Sequence, residues 1–182
     1  MQTQIAAAER LHALLDERDV EKVMLRFGRA LDTGNWPSYR SCFTDPVNID
    51  FKRLTGCDEI RVSADLWTHF ADQILSPVRR HHVYSNVNVT VEGDRAYGIF
   101  YMTARHWKST DLGQTDYTQY GWYDVWFVRE AGEWKIRRLK HDFQWVEGNN
   151  SLLDMTDPEL QKTMRAVFSP ENMQAAVPHA HA

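Results

Sequence analysis

The chain has 182 residues, with 25 acidic against 21 basic side chains and a formal charge of −4. That length suits one domain with a real core, and the excess of acid, without any basic stripe, argues against a nucleic-acid partner. No apolar run approaches the roughly 20 residues that cross a bilayer, so no membrane partner is expected. The first residues carry Glu9 and Arg10 among apolar ones without a cleavage-site pattern, which does not read as a signal peptide.

Residues 4–16 and 19–31 read as two helices. In the second, Val20, Val23, Met24, Phe27 and Leu31 form one apolar stripe, Asp19 is the expected N-cap, and Asp32-Thr33-Gly34-Asn35 is a stop signal. Asn35-Trp36-Pro37 opens a short helix carrying Tyr39, Cys42 and Phe43. Residues 47–51 form a short strand candidate, and 58–75 a longer helix with Ile60, Ala64, Trp67, Phe70, Ala71 and Ile74 inward. The pattern then turns to strands at 80–91, 95–107, 117–129 and 133–145, with a polar link over 108–116. Asp157-Pro158-Glu159 starts a last short helix. The reading is a single domain over residues 1–168 with a C-terminal tail at 169–182. Helices followed by an antiparallel meander make an α+β domain, in which a curved sheet over helices leaves room for a small molecule.

Cys42 and Cys57 are the only cysteines and read as reduced thiols of a cytoplasmic protein. Seven tryptophans, seven tyrosines and eight phenylalanines suit either a pocket for a flat ligand or a large aromatic core. There is no Gly-rich phosphate loop, no G-x-S-x-G and no histidine spacing typical of a metal site, so neither metal nor cofactor is expected.

Histidines titrate near neutral pH, which makes them natural proton carriers. His81 and His82 are adjacent on a strand and must point to opposite faces. Val83, Val87, Val89 and Val91 share alternation with His81, whereas Tyr84, Asn86 and Asn88 share it with His82, so periodicity leaves the inward histidine open. His106 has small and apolar neighbours on its face, including Met102 and Ala104. Asp32 sits at the unfavourable end of a helix dipole, a position that a histidine partner explains better than helix stability does. Asp124 lies between Trp122 and Trp126 on one face, where burial demands a partner or a proton.

The order Leu31-Asp32, Trp36, His81-His82-x-x-x-Asn86, Gly93-Asp94-Arg95-Ala96 and Gly132-Glu133-Trp134-Lys135-Ile136 resembles the SnoaL-like group of the nuclear-transport-factor-2-like superfamily over about residues 10–147. Within it, residues 134–145 are similar to the last long strand of the scytalone dehydratase-like group. The resemblance implies a cone-shaped, strongly curved antiparallel sheet wrapped around N-terminal helices, with a deep pocket. It implies Asp32 orienting His82 as general base, His106 as a second pocket histidine, and Asp124 near a polar pocket position. The group's two carbonyl-polarising tyrosines are replaced by Leu31 and Phe51. Tyr84, Tyr120 and Trp122 are then the candidates to take over binding, with Phe27, Phe51 and Met102 lining the pocket.

The expected function is a cofactor-independent lyase acting on a small aromatic or polycyclic substrate, by dehydration or retro-aldol carbon–carbon cleavage. His106 or Asp124 would protonate or hold the leaving group. The alternatives are an isomerase or cyclase with the same base, and a non-catalytic small subunit of a ring-hydroxylating oxygenase. The resemblance also implies a homodimer or homotrimer formed through the sheet's outer face.

Overall fold

The computed structural model describes residues 2–111, 113–149, 152 and 155–176. Its first element, α1 (Gln2–Thr33), is one continuous helix where two were expected, with Asp19 inside it. No glycine or proline interrupts residues 16–19, and this polar stretch is tied along the surface by Arg18–Glu21 and Lys22–Asp19 pairs at 2.8 and 2.7 Å. The helix stops as expected: Asn35 N–H reaches the Ala30 carbonyl (2.9 Å), Gly34 N–H reaches Leu31 (3.3 Å), and Gly34 supplies the left-handed residue at φ 66°.

Next comes α2 (Trp36–Arg40), capped by Asn35, whose side chain accepts from Ser38 N–H. Phe43, expected on that helix, instead opens β1 (Phe43–Asp50). After α3 (Lys52–Thr55), the expected helix over 58–75 divides into β2 (Ile60–Val62) and α4 (Ala64–Leu75). The β-branched Ile60 and Val62 pair with Ile49 and Val47 of β1, and Ser63 caps the helix from Leu66 N–H.

The meander is β3 (Arg79–Glu92), β4 (Arg95–Thr110), β5 (Gly113–Glu130) and β6 (Glu133–Gly148). The segment expected as a polar link continues the β4–β5 hairpin, with Lys108 opposite Thr115 and Thr110 opposite Gly113. Strand order is β2-β1-β6-β5-β4-β3, antiparallel except where β1 runs parallel to β6. Register shifts at Ser85/Asn88, Tyr120/Gly121 and Trp126/Phe127 bend the sheet. Its concave face packs on α1 around Phe27, Phe43, Phe100, Phe127, Ile136 and Leu139, all buried.

Two helices close the described chain, α5 (Pro158–Val167), capped by Asp157, and α6 (Pro170–Ala176). The expected tail from 169 thus begins with a helix, anchored by the buried Ala176. The last six residues of that expectation lie outside the described residues. Among the described residues, no helix is long and apolar enough to cross a membrane.

Candidate active site

The site is built where the end of α1 meets β3. Asp32 lies one turn beyond Gly28, and both project from the helix toward the sheet. A side chain at Gly28 would put its Cβ 2.5 Å from the Tyr84 ring. The glycine therefore lets helix and strand close far enough for Asp32 to reach His82. Gly28→Ala should force the buried Tyr84 ring aside and lower stability by about 1–2 kcal/mol despite alanine's better helix propensity, as a thermal melt would show.

Asp32 Oδ1 lies 2.7 Å from His82 Nδ1, and both carboxylate oxygens also accept the His82 backbone N–H at 3.1 Å. The His82 side chain is 4% exposed and Asp32 19%. Burial raises the Asp32 pKa, but hydrogen bonds from the His82 ring and backbone, helped by the charges of His82 and His81, outweigh it and hold the group below its ordinary value. An ionised Asp32 accepts the Nδ1 proton. His82 Nε2 is then left with a free lone pair.

Strand register assembles the remainder. His82 stands opposite Ala104, which stands opposite Gln119; Tyr84, Met102 and Gly121 form the adjoining row. A closed circuit of side chains rises around this floor. The His82 ring is 5.6 Å from His106 and 6.5 Å from Tyr84; Tyr84 is 6.1 Å from Tyr123, and Tyr123 is 5.3 Å from His141. His141 Nε2 contacts Gln119 Oε1 at 3.1 Å, Gln119 Nε2 donates to Tyr117 Oη at 3.1 Å, and the Tyr117 ring lies 6.2 Å from His106. Phe27 backs Tyr84 and Tyr123, and Phe51 lies on His141 at 4.9 Å. Tyr84 Oη, His106 Nδ1 and His141 Nδ1 are buried without a partner among the described residues. Buried polar atoms are normally satisfied, and here three stand unpaired around one circuit.

Burial, with the charge of His82, lowers the His106 pKa to about 4 against an opposing hydrogen bond to the Tyr117 backbone. His106 is therefore neutral near pH 7. It can hold a leaving group but is not an imidazolium ready to protonate one. Burial above all, with smaller help from Tyr123, Tyr39 and Asp32, pushes the Tyr84 phenol well above its ordinary value, so it stays a donor. Arg80 reaches across the rim, donating to the Leu75 carbonyl and lying over Trp36 at 5.5 Å.

The expected site residues divide by face. Asp32, His82, His106, Tyr84, Met102, Phe27 and Phe51 come together on the concave side. Asp124, Trp122 and Tyr120 do not, because they alternate with the inward Tyr123 and Gly121. Asp124 lies on the outer face, opposite Ile99 and Lys140, accepting from Tyr97 Oη and, at 3.2 Å, from Trp122 Nε1. Trp122 stacks near Tyr101 at 5.8 Å, and Tyr120 stacks on Trp145 at 4.9 Å while donating to Glu147. The partner that Asp124 requires is a phenol and an indole, not a histidine.

His141 and Gln119 were not expected. His141 is flanked in sequence by Lys140 and Asp142, which makes it look solvated, yet it is 2% exposed. Its alternation with Leu139 and Phe143 was the available signal. Among the described residues, no three His, Cys, Asp or Glu side chains are placed to hold a metal ion.

Two buried neutral histidines set an acid limit on stability. The His106 and His141 pKa values fall from 6.5 to about 4 in the fold. Between those values the unfolded chain binds more protons than the folded one, so stability falls as pH drops through that window. Each histidine contributes up to about 3 kcal/mol to that loss. Denaturant midpoints between pH 7 and 4 should show it, with a shallower fall in His141→Phe.

A family model described as a SnoaL-like domain matches residues 12–140. The chain belongs to the SnoaL-like domain family. No curated protein sequence matches it. This SnoaL-like chain is similar in structure to the Kfla4162 protein from Kribbella flavida, with 25% identity and a TM-score of 0.72 over 77% of this chain and 97% of that one. It is also similar to a candidate scytalone dehydratase from Novosphingobium aromaticivorans (17% identity, TM-score 0.63, 74% and 87% covered). A third is the hexachlorocyclohexane dehydrochlorinase LinA-type3 from Novosphingobium barchaimii LL02 (13%, TM-score 0.64, 78% and 94%). At such identities the last two share the fold, the nuclear-transport-factor-2-like cone with its bent sheet.

Proposed function

We propose that this SnoaL-like protein is a cofactor-independent lyase that removes water from a small aromatic or polycyclic molecule, with His82 as general base. The observation that carries the reading is the half-buried 2.7 Å contact between Asp32 and His82, beside a circuit of aromatic and polar side chains. Asp32 holds the Nδ1 proton, so Nε2 takes a proton from a substrate carbon. The carbon–hydrogen electron pair forms the new double bond, and the neighbouring carbon–oxygen bond breaks. The proton on Nε2 passes to the departing hydroxyl oxygen, which leaves as water and returns His82 to its neutral form. Asp32 faces the positive charge that the ring carries between these transfers, and neutral His106 and Tyr84 hold oxygen atoms by hydrogen bonds.

Names among the structural neighbours, a candidate scytalone dehydratase and a dehydrochlorinase, support an elimination. The test is to incubate the purified chain, without added metal or flavin, with a panel of hydroxylated ring compounds. Mass spectrometry should find a product lighter by one water, formed by the wild type and not by His82→Ala. A product of unchanged mass would replace the lyase with an isomerase, and an equally active His82→Ala would remove the base.

A further inference from the structure

The elimination uses one wall of the circuit and leaves the opposite wall without a task. That wall is His141, held by Gln119. A carboxamide oxygen only accepts hydrogen bonds, so Gln119 Oε1, 3.1 Å from His141 Nε2, fixes the proton on Nε2 and the lone pair on Nδ1. The Gln119 amide is itself oriented by its bond to Tyr117 Oη. Burial keeps the ring neutral down to about pH 4. Phe51 and Tyr123 clamp it at 4.9 and 5.3 Å, so Nδ1 cannot turn toward solvent. The result is a fixed, buried acceptor without a donor among the described residues. On the other side of Tyr123 stands Tyr84 Oη, a fixed donor that is likewise unpartnered.

We infer that His141 Nδ1 accepts a hydrogen bond from a free hydroxyl group at the substrate edge away from His82. The inference rests on reading the circuit as the substrate site. It makes His141 a specificity residue: a hydroxyl satisfies Nδ1, whereas an ether or a methyl group at that edge leaves it buried and unpaired. Discrimination of this kind is strong because the wrong ligand strands a polar atom of the protein.

The probes are 2-naphthol and 2-methoxynaphthalene, which differ at one oxygen that can or cannot donate. Calorimetric titration of the wild-type chain should show 2-naphthol binding at least about tenfold tighter. His141→Phe should lose most of that preference, and His82→Ala should retain it. Should His141→Phe fold poorly, ring nitrogen NMR of the wild type decides: the His141 Nδ1 resonance moves on adding 2-naphthol and not on adding the ether. Equal affinities, an unmoved Nδ1 resonance, absence of binding by either probe, or a preference lost in His82→Ala but kept in His141→Phe would each overturn the inference. A preference that depends on His141 in a chain whose His82→Ala variant still turns over would instead refute the base while leaving hydroxyl recognition standing.

Discussion

Replacing His82 by alanine should lower turnover by roughly a hundredfold or more, and Asp32→Asn by a comparable factor, with little change in melting temperature. The two substitutions fail for different reasons. His82→Ala deletes the only lone pair that Asp32 directs into the circuit. Asp32→Asn keeps shape and one accepting oxygen, so the 3.1 Å bond from the His82 backbone can persist. What it loses is the charge facing the imidazolium and the certainty that Nδ1 carries the proton. The pH profile separates them from damage at a distance, because only a change at the base moves its acid limb. His81→Ala is the contrast: His81 is exposed on the opposite face, next to Arg105 of β4, and its loss should be minor. Near-normal turnover by both His82→Ala and Asp32→Asn would end the dyad.

That contrast also shows where the sequence could be read and where it could not. Alternation along β3 placed four valines with His81, and the resemblance favoured His82. The structure reconciles them through one extra residue. Between Ser85 and Asn88 the register slips, Asn86 adopts φ 47°, and from Val89 onward the inward set changes parity. Val89 and Val91 therefore share the concave face with His82, whereas Val83 and Val87 stay exposed like His81. A period-two reading has no means of detecting a bulge whose cause is a single left-handed asparagine. The opposite error arose at Asp124. Both faces of β5 are aromatic, so the tryptophans beside Asp124 looked like pocket walls, although Tyr123 and Val125 are the residues turned inward. The end of α1 was legible because its stop signal is local: Gly34 and Asn35 close it by backbone geometry alone. His141 was hidden by charged neighbours that point the other way.

A large structural penalty is expected at Gly121, which no chemistry uses. A Cβ there would stand 2.0 Å from the Asp142 carbonyl oxygen and 2.5 Å from Phe143 Cα. Both obstacles are backbone, so no side-chain rotation relieves the clash, and β6 itself would have to move. Gly121→Ala should therefore cost more than about 3 kcal/mol, at the upper end of overpacking substitutions, seen as a lower denaturant midpoint. The displaced segment is the bulged stretch of β6 that carries His141 at one end and Trp145 at the other. Moving it would pull His141 away from Gln119, free its tautomer and open the circuit opposite the base. Gly121→Ala should then weaken 2-naphthol binding more than Gly28→Ala does, since the latter presses on the Tyr84 ring and leaves β6 and His141 in place. If Gly121→Ala melts with the wild type and binds the probe equally well, the close passage of β5 against β6 is not what shapes the floor of the site.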